Sequence, residues 1–172
     1  MDNSPVQFSD QPGSYFWLNN TLYPQDRYAV LSANMPAVNS SQSIKYFYTL
    51  PIATLAWNRI GFGSFVIITG VKEELQLPVN KVIVEELLRQ SRENKFQLTL
   101  LFVECDDKHW RIGIGQMSRL FATNYMREHS ERLKHTYFIA SDADLLPIRK
   151  MIKVQYDRKN LNQKNYHLLY EK

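Results

Sequence analysis

Hydrophobic and polar positions alternate between two periods along this chain. Tyr28-Ala29-Val30-Leu31-Ser32-Ala33, Ser64-Phe65-Val66-Ile67-Ile68-Thr69, Gln97 to Val103 and Tyr137 to Ser141 are short apolar runs bounded by polar or glycine residues. Runs of this length, rich in β-branched and aromatic residues, read as buried strands. Between them the period lengthens to that of a helix. Leu50, Thr54, Trp57 and Ile60 form one stripe, with Thr49 as a cap, Pro51 in the first turn and Gly61 as a stop. Trp57 reads as core packing. Pro78 opens a second helix, with Val82, Ile83, Leu87 and Leu88 on one face and Glu85, Glu86 and Arg89 on another. A third helix is expected from about Ile114 to His129, its stripe carried by Leu120, Phe121, Thr123 or Asn124, and Met126 or Arg127.

Strands alternating with helices predict right-handed βαβ units: an α/β, Rossmann-like three-layer sandwich with a mostly parallel sheet. In such sheets a ligand binds beyond the C-terminal ends of the strands, where the strand order reverses. The polar residues fall there. Ser32 and Asn34 follow the first strand, Thr69 and Gly70 the second, Glu104, Asp106 and Asp107 the third, and Asp142 and Asp144 the fourth. If the first and fourth strands are neighbours, Ser32 to Asn34 face the two aspartates across one crevice.

The fourth run ends in Ser141-Asp142-Ala143-Asp144-Leu145-Leu146-Pro147. Carboxylates cannot follow the strand into the core unpaired, so they emerge at its end. In extended backbone, residues two apart point to the same side, which lets Asp142 and Asp144 share one hard cation while Ala143 faces away. Oxygen ligands of this kind suit Mg²⁺ or Mn²⁺, which keep positions open for phosphate oxygens. A structural alternative is that Asp144 caps a short helix begun by Pro147.

Composition narrows the classes. The chain has 172 residues, enough for one domain with a real core. Residues 1–26 read as a loosely ordered leader, and 27–172 as the domain. A net charge of +4 favours anionic ligands but is too small to argue for nucleic acid. One cysteine, Cys105, excludes an internal disulfide and a Cys-rich zinc site; it reads as a packed thiol. No apolar stretch is long enough to span a membrane, and Met1 to Asp10 holds no signal-peptide core. Glycosylation sequons at Asn19 and Asn39 matter only on a secretory route. No Gly-x-Gly-x-x-Gly follows the first strand, and the P-loop and nucleophile-elbow patterns are absent. Gly61-Phe62-Gly63 reads as a helix stop and Gly113-Ile114-Gly115 as a turn before a helix.

A hydrophobic strand running into Ser-Asp-Ala-Asp resembles the DXD motif of GT-A-type glycosyltransferases, the nucleotide-diphospho-sugar transferases. The strand Tyr28–Ala33, the helix ending Trp57-Asn58-Arg59-Ile60-Gly61-Phe62, the strand Ser64–Thr69, the segment Gln116-Met117-Ser118-Arg119-Leu120-Phe121-Ala122 and Ser141–Pro147 carry the resemblance, over roughly Tyr28 to Ile152. It implies a metal-dependent transfer of sugar from a nucleotide-sugar donor to an acceptor hydroxyl on a glycan, protein or lipid. Asp142 would approach the ribose or the metal, and Asp144 would ligate Mn²⁺ or Mg²⁺ at the diphosphate. Ser32 to Asn34 would hold base and ribose, and Arg119 would reach the nucleotide. The resemblance also points to the Golgi lumen or its membrane; without it the expectation is cytoplasmic. GT-A domains normally continue well past the DXD with an acceptor-binding half, and here little more than two dozen residues follow Asp144. His167 reads as a surface histidine. The chain is therefore expected to be a donor-binding half. The alternatives are a non-catalytic nucleotide-binding relic and a nucleotidyltransferase or phosphotransferase using the same aspartates.

Overall fold

A computed structural model describes residues 16–19, 25–36, 44–107, 109–129 and 136–147. The elements in chain order are β1 (Phe16–Asn19), β2 (Arg27–Asn34), α1 (Ile44–Arg59), β3 (Gly63–Gly70), α2 (Lys72–Leu75), α3 (Pro78–Glu93), β4 (Leu98–Glu104), α4 (Trp110–His129) and β5 (Tyr137–Ala140). One sheet holds all five strands in the order β1-β4-β3-β2-β5. β4, β3, β2 and β5 are parallel, and β1 joins the outer side of β4 antiparallel. The first and fourth strands anticipated from the sequence, β2 and β5, are indeed neighbours. β1 lies within the stretch read as a leader.

The handedness of crossovers sets the layers. β2, β3 and β4 step in one direction across the sheet, and right-handed connections put α1 and α3 on one face. The chain then returns past β3 and β2 to place β5 at the far side, so the same hand sends α4 to the opposite face. Alternation along the strands fits this division. Ala29, Leu31, Val66, Ile68, Leu98, Leu100 and Phe102 pack with Phe47, Leu50, Trp57 and Leu87 of α1 and α3. Tyr28, Val30, Phe65, Ile67 and Leu101 form the core on the other face.

Local boundaries depart from the sequence reading at three helical sites. The first helix starts at Ile44, not at Thr49, and Pro51 lies inside it. Burial of Phe47, one turn earlier, stabilises that extra turn. The Thr49 hydroxyl is not a cap; it donates to the Tyr46 carbonyl at 2.8 Å. The anticipated stop holds: Gly61 has φ +90°, a conformation that favours glycine. In α3, Pro78 occupies the first turn as expected, but Val82 is exposed while Leu87 is fully buried.

The third departure is the largest. α4 begins at Trp110, so Gly113 and Gly115 lie within a helix and not in a turn before one. Asp107 starts it: its carboxylate accepts from His109 N–H at 2.8 Å, and its carbonyl accepts from Trp110 and Arg111 N–H. Leu120 and Phe121, read as its core stripe, are more than 60% exposed. β5 also ends at Ala140 and is only partly covered, because it is the edge strand of the described sheet. The helix expected after Pro147 falls outside the described residues, as does His167. No helix among the described residues is long and apolar enough to cross a membrane.

One buried ion pair ties the strand-end loops together. Arg111 is 4% exposed and Glu74 5%. The Arg111 guanidinium donates to both Glu74 oxygens at 2.8 Å and, through Nε, to the Cys105 carbonyl at 2.8 Å. Glu74 also accepts from Val71 N–H at 3.1 Å. Cys105 itself is buried, as anticipated. Removing one partner leaves the other charge buried and uncompensated, so Glu74→Ala should cost about 3–5 kcal/mol. Urea unfolding of the variant beside the parent chain measures this.

Candidate functional site at the strand-order reversal

The reversal lies between β2 and β5. Their register pairs Arg27 with Tyr137 and Val30 with Ala140. β2 therefore runs on through Leu31–Asn34 with no β5 residue beside it. The last link across is Ser141 N–H to the Val30 carbonyl at 2.9 Å. Asp142 leaves the sheet at that step, beside the start of the unaccompanied part of β2.

The two aspartates sit in a turn, not on an extended strand. Leu145 N–H donates to the Asp142 carbonyl at 3.1 Å. This removes the extended backbone from which a shared side was inferred. What holds the turn is Ala143, 2% exposed in the α1 face of the core, whose carbonyl accepts from the Thr49 hydroxyl at 2.9 Å. With Ala143 turned inward, both flanking carboxylates, Asp142 and Asp144, are left exposed. Ala143 does face away from them, through a turn and not through strand alternation.

Arg119 meets Asp142 directly. Its Nη1 donates to Asp142 Oδ1 at 2.5 Å and to the Ser141 carbonyl at 2.8 Å. The Arg119 side chain is 14% exposed and that of Asp142 65%. Arg119, the helix residue expected to reach a nucleotide, is thus brought to Asp142. It lies on a helix face that the sequence reading did not single out. Arg111, Gly115 and Arg119 recur every four residues, which sets them within about 80° of one another on α4, and Arg127 lies two turns further along. Arg111 holds Glu74, and Arg127 donates to the Thr136 carbonyl at 3.3 Å while its guanidinium lies 5.5 Å from the Phe138 ring. The signal for this docking was the arginine spacing, with apolar residues on the far side.

Gly115 explains where Ser32 and Asn34 go. A Cβ built on it would lie 3.3 Å from Asn34 Oδ1, 3.7 Å from Thr69 Cγ2 and 3.8 Å from Ser32 Oγ. The helix backbone closes over these residues, and glycine lets it come that near. Asn34 Oδ1 accepts from the Thr69 hydroxyl at 2.5 Å. Ser32 and Asn34 therefore lie one helical turn from Arg119 along α4. They do not line the neighbouring cleft.

That cleft, about 570 Å³, runs beside β5 and is bounded by Trp57, Gln116, Met117, Leu120, Ala140 and Leu145 together with Arg119 and Asp142. Its size is that of a small-molecule site. The structure thus brings Arg119 and Asp142 together, sets Ser32 and Asn34 nearby under α4, and leaves Asp144 exposed outside the cleft. Among the described residues no group of three or more His, Cys, Asp or Glu side chains could hold a metal ion. Two exposed carboxylates remain a fit for Mg²⁺ or Mn²⁺, which take one or two from protein and the rest from phosphates and water.

Comparison of the chain with protein-family models, curated proteins and solved structures finds no match.

The Arg119–Asp142 pair is exposed on its carboxylate side, so solvent screens it. Asp142→Asn should change stability by less than about 1 kcal/mol, in contrast to the buried pair at Glu74. Chemical denaturation of the purified variant tests this, and a folded variant is also the reagent that ligand-binding measurements need.

Proposed function

We propose that this chain is the donor-binding domain of a metal-dependent glycosyltransferase of GT-A type, which passes a sugar from a nucleotide-sugar to an acceptor hydroxyl. The observation that carries this reading is the emergence of Asp142 and Asp144 at the place where the parallel strand order reverses. Asp142 and Asp144 are the residues that would hold Mn²⁺ or Mg²⁺. When bound, such an ion supplies Lewis-acid stabilisation of the departing nucleoside diphosphate.

The protein's own groups have separate tasks in this reading. Arg119 holds the Asp142 side chain and the Ser141 carbonyl in one orientation, so that part of the carboxylate is preset before a ligand arrives. The second Asp142 carboxylate oxygen and both Asp144 carboxylate oxygens accept no hydrogen bond from the described residues. The Ala143 anchor keeps the two acids on the outer side of the turn. Ser32 and Asn34, which the resemblance would have hold base and ribose, lie in the unaccompanied part of β2 and are covered by α4 at Gly115.

A second reading has support in the same contact. Arg119 already neutralises Asp142, as a retained structural ion pair would in a non-catalytic relic of the fold. Ligand binding separates the two. Thermal unfolding should be followed with Mn²⁺ plus a panel of nucleoside diphosphates and sugar nucleotides. A ligand at a hundred times its Kd adds about 2.7 kcal/mol to the native state. For a domain of this size that is a rise of about 5–10 °C. The expected result is a rise that needs metal, is selective for one nucleotide and is lost in Asp144→Asn. No rise with any of them, in a well-folded sample, favours the relic.

A further inference from the structure

Helix α4 has a second face that the candidate site does not use. At about 3.6 residues per turn, Trp110, Ile114, Met117 and Phe121 fall within about 60° of one another, turned away from Arg111, Gly115 and Arg119 on the sheet side. Trp110 is 68% exposed, Phe121 64% and Met117 51%, and Ile114 is half-buried. Between Trp110 and Phe121 the only charged residues are Arg111 and Arg119, which are held by Glu74 and Asp142. The stripe is therefore apolar and carries no charge. The exposed side of α3 is different: it bears the ion pairs Lys81–Glu85 and Arg89–Glu86, as a helix face in water does.

The spacing of the stripe identifies what covers it. Steps of four, three and four residues are the same in either direction. The chemistry is also unchanged by reversal, with aromatic residues at both ends and aliphatic ones in the middle. When a second copy of α4 lies antiparallel on the first, about a two-fold axis between Gly115 and Gln116, Trp110 meets Phe121 of that copy and Ile114 meets Met117. A two-fold interface is one patch paired with itself, so it requires a pattern that survives reversal. An unrelated protein or a loop of the same chain makes no such demand. A membrane surface would be met by basic side chains beside the stripe, and both arginines of this segment are turned to the sheet side.

The exposed area is enough for a stable pair. Apolar surface continues from Met117 through Leu120 to Leu145 along the rim of the cleft. With Trp110 and Phe121, these side chains expose on the order of 600 Å², at the upper end of what a single chain leaves in water. A stable dimer buries about 800 Å² on each partner, about 500 Å² of it apolar.

We infer that the chain forms a two-fold dimer through α4, with the two helices antiparallel and in contact over residues 110–121. Met117 then belongs both to the interface and to the wall of the cleft, so pairing of the chains fixes that wall. The dimer does not depend on the donor-site reading.

Sedimentation velocity of the full chain across the micromolar range should show a species of twice the chain mass. Phe121→Asp sets a carboxylate against Trp110 of the second copy, and the two-fold axis does so twice. Loss of one hot-spot contact weakens an interface by about thirtyfold, so the dimer Kd of this variant should rise about a thousandfold. Phe121 is exposed in the single chain, so the circular dichroism of the variant should match that of the parent. The register is tested by crosslinking. A chain carrying both Trp110→Cys and Phe121→Cys should oxidise to a disulfide-linked dimer, and either substitution alone should not, because equivalent residues lie about 16 Å apart along the paired helices. A monomer at every concentration overturns the inference, whether residues 148–172, another protein or a lipid surface then covers the stripe. Association that grows past two chains, a dimer that Phe121→Asp leaves intact, or crosslinking by the single substitutions overturns it as well.

Discussion

The reversal of strand order between β2 and β5 is the constraint on which the rest depends. Crossovers of one hand cannot keep α4 on the face that holds α1 and α3 once the chain turns back across the sheet. The second face is covered by α4 in consequence, and the step between β2 and β5 opens beside it. β5 is only four residues long, so β2 overshoots it. Asp142 leaves the sheet at that overshoot, and every part of the candidate site is placed by it.

The helix forced onto the second face is held in an unusual way. Its sheet-facing side carries Arg111, Gly115 and Arg119, while Trp110, Met117, Leu120 and Phe121 are exposed. Arginine can do this because its stem packs along apolar surface while its planar head meets carboxylates and carbonyls. Each guanidinium ends on a different segment: Glu74 in α2 beyond β3, the Ser141–Asp142 step beyond β5, and Thr136 before it. Helix docking and site geometry are therefore one network. A contact that positions α4 also positions Asp142.

Much of the layer plan was legible in the chain. The four parallel strands, Pro78 at the start of α3 and Gly61 at the end of α1 follow from local rules, and the observed elements keep them within a few residues. The polar residues at the strand ends were legible too, because carboxylates and amides mark where burial stops. What misled was periodicity in α4. Leu120 and Phe121 have the character of a core stripe, and Gly113 and Gly115 that of a turn. Neither residue type reveals that arginines face the sheet, since that depends on Glu74 and Ser141, which lie far away in sequence. The turn at Asp142–Leu145 escaped for a related reason: Ala143 is drawn into the core by Thr49 and α1, a tertiary contact that overrides continuation of the strand. Trp57 was read as packing, and it does pack. That its buried N–H has no hydrogen-bond partner among the described residues is invisible until the neighbours are known.

The charge arrangement differs between the two sides of one turn. On the inner side, Arg119 cancels Asp142 and the cleft wall is apolar, which disfavours an ion. On the outer side, Asp144 is exposed and Asp142 presents most of its side chain to solvent. Asp142 borders both sides, whereas Asp144 lies on the outer one alone and Trp57 on the inner one alone. The separation of the two sides thus follows from Ala143 being buried between the two acids, and not from distance along the chain.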